Sequence, residues 1–254
     1  MKHTTLKIII LLIFSINNIY AGWFKSYNYK GVIDKYPITF SIQITEGFFG
    51  EKEKKEFNIN GVYKYDKHNN PIALEGKINL KTNQAFIYEV QNNKNTAVFE
   101  FNFSEKECKG TWTNLSTKKV LSLQLNFISK LIDTSEKYAF KNIEILQLHS
   151  LNDYYFVGLY SKQKSQDSAQ MDQLKIIKKS DNSVFQILDF SNIETQTGNV
   201  ATIIYQNVIT EKPKSNNFIV WNDIGRMGGT LTVTYSNSKR KFILDPNPTI
   251  DGPP

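Results

Sequence analysis

The residue types that most often carry out chemistry are scarce in this chain, and their spacing joins them in no catalytic constellation. Beyond the N-terminal segment the histidines are His68, in a polar turn, and His149, at a predicted strand end. A histidine-built zinc site uses two or three such ligands, and general acid–base catalysis needs a positioned partner. Cys108 is the only cysteine, and its glutamate neighbours disfavour a thiolate. The sequence therefore predicts no metal centre and no cofactor, and Cys108 as a small buried hydrophobe.

Other catalytic motifs are also missing. The chain has no G-x-S-x-G motif and no S-x-x-K with its expected partners. The glycines of Gly225–Gly229 resemble a phosphate-binding loop, but the Lys-Ser/Thr pair is lacking and a predicted strand follows. Aspartates and glutamates are numerous, yet no spacing singles out a pair for glycoside hydrolysis. We therefore expect no enzymatic activity, with a carboxylate pair assembled only by the fold as the alternative.

Two segments are instead suited to contacting a partner protein. The first, Trp221 to Gly229, brings together residue types that are enriched in interface cores: Trp221, Asp223, Arg226 and Met227 are its predicted contact residues. The alternative for this segment is a glycine-shaped turn whose tryptophan packs inward. A second candidate patch holds Tyr63, Tyr65 and His68; the two tyrosines share one strand face, which could be core rather than surface.

The N-terminus has the features of a secretory signal peptide. Lys2 and Lys7 precede a short apolar run that extends from Ile8 to Ile16, and Ala21 is a suitable small residue before a cleavage point. The run is too short to span a bilayer, which takes about 20 residues. The sequence predicts a signal peptide over residues 1–21 and a periplasmic or secreted product that does not insert into the membrane after cleavage.

The charge of the chain does not indicate nucleic-acid binding. The 254 residues carry a formal charge of +7, which falls to +5 when Lys2 and Lys7 are removed. Lysine supplies nearly all of this charge, since Arg226 and Arg240 are the only arginines, and base recognition favours the planar arginine fork. We interpret the charge mainly as a contribution to solubility.

Alternation of apolar and polar residues predicts an all-β protein built as an antiparallel meander, sandwich or barrel. In the run from Pro37, the predicted core positions are Ile38, Phe40, Ile42 and Ile44. The alternation breaks after residue 127. We predict two β units, residues 22–127 and 139–245, a connector or short helix at 128–138, and a flexible tail at 246–254. One continuous sandwich is the alternative.

Two further segments are less regular. Residues 171–179 fit a strand or a helix, whereas residues 200–208 are predicted as a strand.

The first half resembles a β-rich family of uncharacterised secreted bacterial proteins. The resemblance covers roughly residues 28 to 127 and rests on a series of motifs: Gly61-x-Tyr63-x-Tyr65-x-Lys67, Pro71-Ile72-x-Leu74-x-Gly76 and Gly110-Thr111-Trp112. It implies a secreted β domain and transfers no catalytic residue.

These features together predict a secreted, periplasmic, non-enzymatic protein that binds another protein. Its most concrete form is an inhibitor or immunity protein directed against an envelope-targeted toxin or enzyme. Two alternatives stay open: a hydrolase of envelope polymers that uses a carboxylate pair, and a structural or ligand-binding envelope module.

Overall fold

The computed structural model describes residues 24–45, 58–133, 138–164, 166, 169–193, 196–197, 203–224 and 227–250. The predicted signal peptide lies outside these residues. The predicted all-β class is confirmed, because all the strand pairs are antiparallel and the described residues contain no α-helix. The strands form a closed barrel followed by two smaller sheets.

The first eight strands close the barrel as a simple meander in which each strand pairs with the next and the last pairs with the first. Closure removes the free edges that an open sheet would expose. The strands are β1 (Phe24–Ile33), β2 (Tyr36–Thr45), β3 (Ile59–Tyr65), β4 (Ile72–Asn79), β5 (Gln84–Gln91), β6 (Lys94–Asn102), β7 (Glu107–Asn114) and β8 (Val120–Asp133).

Aromatic and aliphatic side chains fill the middle of the barrel. The predicted core positions on β2, Ile38, Phe40, Ile42 and Ile44, are all buried, which confirms that prediction. The ring of Phe40 lies 5.3 Å from that of Phe99 between centroids, in edge-to-face geometry. The alternating pattern thus folds into a packed interior.

Strand β8 shows why the sequence alternation breaks after residue 127. Asn28 pairs with Ser129 and Tyr29 pairs with Phe127, so Ile128 is an extra, bulged residue. Before the bulge Leu125 faces the barrel interior, and after it Leu131 faces outward to the C-terminal sheets. The predicted connector 128–138 therefore begins inside a strand, because β8 continues to Asp133 and reverses its inward face.

The C-terminal half forms two antiparallel sheets. The four-stranded sheet has the order β12-β11-β10-β9, and the six-stranded sheet is centred on the hairpin of β15 and β16. Their strands are β9 (Phe140–Ser150), β10 (Tyr154–Lys162), β11 (Gln170–Lys178), β12 (Val184–Asp189), β13 (Gln196–Thr197), β14 (Val208–Ile209), β15 (Asn217–Ile224), β16 (Met227–Ser236), β17 (Lys241–Leu244) and β18 (Thr249–Ile250).

Three segments of the C-terminal half can be compared with their sequence predictions. The ambiguous segment 171–179 is almost entirely strand β11. The strand predicted for residues 200–208 is wrong at Ile204–Gln206, which forms a 3₁₀-helix, whereas Val208 does belong to a strand, β14. The side chains of Tyr160 and Gln147 hold the 3₁₀-helix through the Ile204 carbonyl. The predicted tail from residue 246 contains β18, which pairs with β16.

The two C-terminal sheets pack face to face, and the four-stranded sheet also packs on the barrel. Phe156 of β10 lies 4.6 Å from Phe218 of β15 between ring centroids. The opposite face of the four-stranded sheet meets the outer surface of β1, β2, β3 and β8, where Phe24, Val62 and Leu131 join its hydrophobic cluster. Hydrophobic side chains therefore pack against both the inner and the outer face of this part of the barrel wall.

No helix among the described residues has the length and apolar character needed to cross a bilayer.

Candidate functional site

The predicted contact segment Trp221 to Gly229 lies at the end of the β15–β16 hairpin. Trp221 pairs with Thr230, and the last pair is Ile224 with Met227. Asp223 and Met227 belong to the two strands, but their side chains are not among those described. Arg226 lies outside the described residues. The structure thus places the segment on a regular hairpin, and Trp221 is the one of its four predicted contact residues whose side chain can be located.

Trp221 points away from the sheet core. Its strand neighbours Phe218 and Val220 are buried between the two sheets, and alternation along the strand puts Trp221 on the opposite face, where it is partly exposed. This orientation of Trp221 is inconsistent with the alternative in which its side chain packs inward.

The surface around Trp221 combines apolar and hydroxyl side chains. The register places Ile219 beside Thr232, Ile209 beside Ile219, and Thr234 beside Ile243, all on the outward side. We call the set Ile209, Ile219, Trp221, Thr230, Thr232 and Ile243 the hairpin patch. A flat surface of β-branched residues around one tryptophan, with no charge among its members, has the composition of a protein-contact surface.

The second predicted patch is split by the structure. Tyr63 is fully buried in the barrel, so it cannot contact a partner; β3 alternation points it inward. Tyr65 and His68 do come together, since both line a groove of about 520 Å³ at the barrel rim with Asn70, Gln91 and Leu148. His68 is exposed in the turn. We call this the rim groove.

Beneath the rim groove lies a buried carboxyl group that the sequence reasoning missed. Glu89 accepts hydrogen bonds from the hydroxyl of Tyr63, from Nε2 of Gln91 at 2.7 Å and from Oγ1 of Thr96 at 2.6 Å. Burial, together with the nearby Glu89 carboxyl, raises the pKa of Tyr63 far above its usual value. Tyr63 therefore stays protonated and serves as a hydrogen-bond donor inside the barrel.

A larger cavity of about 650 Å³ separates the barrel wall from the four-stranded sheet. We call it the barrel–sheet cleft. Its barrel wall presents Asn28, Thr39, Ser41 and Ser129, and its sheet wall presents Leu146, Tyr155, Val157 and Ile177. The barrel wall is thus mainly polar, whereas the sheet wall combines apolar side chains with Asn142, Glu144 and Asn182.

Lys64 joins the two walls at one end of this cleft. Its ammonium donates to Oδ1 of Asp66 at 2.8 Å and to Oδ1 of Asn69 at 2.7 Å, and it lies 4.8 Å from the centre of the Tyr155 ring. The Lys64 side chain is buried, whereas Asp66 is about one-third exposed. This cation is therefore held by contacts from both halves of the molecule.

The turn of residues 66–70, which follows β3, fastens the halves further. Nδ2 of Asn69 donates to the Lys179 carbonyl at 2.9 Å, and Nζ of Lys179 donates to Oδ1 of Asn70 at 2.9 Å. Burial lowers the pKa of Lys179. Although its sequence is polar, this turn therefore connects the barrel to the C-terminal half.

The carboxylates of the cleft have lysine partners. Asp66 is paired with Lys64, and Glu144 with Lys175 at 2.6 Å. A hydrolase of the predicted alternative type would use two carboxyl groups, one of them with a raised pKa. Where carboxyl pKa values are clearly displaced, as at Glu107, Asp181 and Asp189, hydrogen bonds to Lys109, Ser183 and Ser191 lower them, and none of the three lines the cleft.

Cys108 and His149 are both in structural settings. Cys108 is fully buried in the barrel, as predicted, and burial raises the pKa of its thiol. Nδ1 of His149 accepts the backbone N–H of Thr210 at 3.3 Å, and burial lowers the pKa of the imidazole. Within the part of the chain that the structure describes, no three His, Cys, Asp or Glu side chains are grouped as a metal site would require.

Comparison with known proteins gives no relative: no family model matches the chain, and no curated protein sequence is similar to it.

The sequence did contain a signal for the cleft. Four outward positions of β1 and β2 are uncharged and buried (Ser26, Asn28, Ser41 and Gln43), and Asn28 and Ser41 among them line the cleft. On β4, by contrast, the outward positions Glu75 and Lys77 are charged and exposed. An outer strand face of small uncharged residues indicates that another part of the protein covers it.

Proposed function

We propose that this chain is a secreted, non-enzymatic binding protein that recognises another protein through the hairpin patch. The observation that carries the proposal is the outward orientation of Trp221 within a surface of isoleucines and threonines. Tryptophan is among the residues that contribute most to binding energy at interfaces. The partner we propose is an envelope-targeted toxin or enzyme, which the protein would inhibit or against which it would provide immunity.

Two properties of the scaffold support a binding role over catalysis. The barrel interior is occupied by packed rings such as those of Phe40 and Phe99, so it supplies a rigid support and not an apolar ligand cavity. The carboxylates Asp66 and Glu144 each have a lysine partner, at 2.8 and 2.6 Å, so ion pairing gives both a structural role.

The experiment is coexpression of the protein with toxins encoded beside its gene, each directed to the periplasm. We expect one toxin to become non-lethal and to co-purify with the mature chain that begins at Gly22. The Trp221→Ala variant should lose both effects. Phe86→Ser is the matched control, because Phe86 is an aromatic residue that is 43% exposed on the barrel, away from the hairpin.

Either of two results would overturn the proposal. One is the absence of rescue and of a complex with every neighbouring toxin. The other is a complex that Trp221→Ala leaves intact and Phe86→Ser destroys, which would move the contact surface to the barrel.

A further inference from the structure

The barrel–sheet cleft has features of a small-molecule site that are independent of the hairpin patch. Its volume of about 650 Å³ falls within the range of about 300–1,000 Å³ that is usual for ligand pockets. Ligand pockets also combine apolar lining with placed polar groups. In this cleft most of the polar lining comes from the barrel and most of the apolar lining comes from the sheet.

The polar wall is built from side chains that are themselves buried. Asn28 is 7% exposed and Ser41 is 4% exposed, and both line the cleft. Oγ of Ser41 donates to Oδ1 of Asn28 at 2.7 Å, and Nδ2 of Asn28 donates to Oγ of Ser129 at 3.1 Å. This chain of bonds fixes the orientation of the Asn28 amide.

The same chain leaves donors on two side chains that line the cleft. An asparagine amide carries two N–H donors, and the Asn28–Ser129 bond uses one of them. Ser129 accepts that bond and keeps its own hydroxyl proton as a donor. A cavity lined by groups with such remaining donors can bind a ligand that carries oxygen acceptors.

The opposite wall supplies a surface of a different kind. Leu146, Val157 and Ile177 come from three adjacent strands of the four-stranded sheet, and the register places them side by side with Tyr155. Together they form the main apolar part of the cleft lining, and each is largely buried in the hydrophobic cluster of the sheet.

The charges that line the cleft are paired, with one exception at its exposed edge. Lys64 is paired with Asp66 and Lys175 with Glu144, and the remaining charged lining residue, Lys30, is exposed to solvent. A ligand of net charge would therefore meet no buried counter-charge that is not already engaged.

We infer that the barrel–sheet cleft binds a neutral saccharide unit of one or two sugar rings. A sugar ring has a C–H face, which matches the apolar wall of Leu146, Val157 and Ile177, and a hydroxyl edge, which matches Asn28 and Ser129. A pocket of this volume accommodates a ligand of that size.

The test is a titration of the ¹⁵N-labelled mature protein with N,N′-diacetylchitobiose and with maltose, followed by NMR. We expect one of these sugars to shift the amide signals of β1, β8 and β10 in a saturable way. Asn28→Ala should weaken binding at least about tenfold, which corresponds to about 1.4 kcal/mol. Asn102→Ala is the matched control, because Asn102 is an exposed asparagine on the barrel strand β6.

A second variant separates loss of binding from loss of folding. Val157→Phe adds bulk to the apolar wall and keeps the Asn28–Ser129 bond, and it should block binding in a protein that still gives a dispersed NMR spectrum. Trialanine, a neutral peptide, serves as the competing probe.

Three outcomes would overturn the inference. They are no saturable shift with either sugar, shifts that map away from the cleft, and binding of trialanine that depends on Asn28 while the sugars do not bind. The last would assign the cleft to peptides.

Discussion

The ammonium group of Lys64 in the barrel lies 4.8 Å from the ring centroid of Tyr155 in the C-terminal half, above the face of the ring. The same ammonium is bonded to Asp66 and Asn69, and the hydroxyl of Tyr155 donates to Oδ1 of Asn182 at 2.9 Å. The two residues therefore connect the barrel with the turn that follows β11. Because Lys64 is buried, the contact is little screened by solvent.

Replacing Lys64 with methionine should destabilise the protein by about 2–3 kcal/mol, because Asp66 loses its ion-pair partner and Asn69 loses a donor. The measurement is urea unfolding. Lys77→Met is the matched control, since Lys77 is exposed on β4, and it should change stability by no more than about 0.5 kcal/mol.

A double-mutant cycle with Tyr155→Leu isolates the contact itself. We expect a coupling energy of about 0.5–2 kcal/mol between the two positions. Strictly additive effects would show that the ring and the ammonium do not stabilise each other.

Tyr63→Phe should cost about 1–3 kcal/mol, because it removes one of three donors to the buried Glu89 carboxyl while keeping the ring in place. Thermal and urea unfolding measure the loss. Tyr88→Phe is the control, since Tyr88 sits on the outward face of the adjacent strand β5 and should be nearly neutral. Equal stability of Tyr63→Phe and the parent would show that the bond contributes nothing.

Stability should fall when the pH is lowered from 7.5 to 5. Burial holds the pKa of His149 below its ordinary value of 6.5, so the unfolded chain takes up a proton more readily than the folded protein. The stabilisation is present above pH 6.5 and is lost as the pH falls through the folded-state pKa. Protonation of Nδ1 would also break the bond from the Thr210 N–H.

His149→Gln should flatten this part of the pH dependence, as measured by urea unfolding at several pH values. His68→Gln is the matched control, because His68 is a histidine exposed in a turn. The assignment of this pH dependence to His149 is wrong if the slope of the unfolding free energy against pH persists in His149→Gln and disappears in His68→Gln.

Gly110→Ala should destabilise the barrel by about 2–3 kcal/mol. An added Cβ would lie 1.9 Å from the carbonyl oxygen of Glu100 and 2.7 Å from Cα of Phe101, so the backbone of β6 would have to move. Thr111→Ala, one position along the same strand, should cost about 1 kcal/mol or less. If the two variants unfold at the same urea concentration, the close approach of the strands at Gly110 does not restrict the size of the side chain at this position.

Local alternation was enough to predict much of the first half. The buried residues Ile38, Phe40, Ile42 and Ile44 could be predicted, because hydrophobicity has a period of two residues along a strand with one solvent-exposed face and one buried face. Cys108 followed from the same argument. At Ile128 the alternation of apolar and polar residues stops, although the strand continues through a bulge. A bulge and a linker both interrupt this alternation, so the sequence alone does not distinguish them.

The sites were less predictable than the strands. Sequence composition selected Trp221, but only the pairing of β15 with β16 decided that it faces outward. Tyr63 and Tyr65 looked equivalent, yet Tyr63 is buried in the barrel and Tyr65 lines the rim groove. The uncharged outward positions of β1 and β2 indicate that another part of the protein covers them. The barrel–sheet cleft itself could not be placed from the sequence, because Asn28, Ser129 and Val157 are distant in the chain.

The sequence by itself determined the all-β class and which side of many strands is apolar, because both depend on residues two positions apart. The tertiary structure decided that β1 meets β8 to close a barrel, that a second layer covers this barrel, and that Lys64 reaches Tyr155. These are contacts between residues far apart in sequence, and each depends on how whole sheets pack and not on any local preference of the chain.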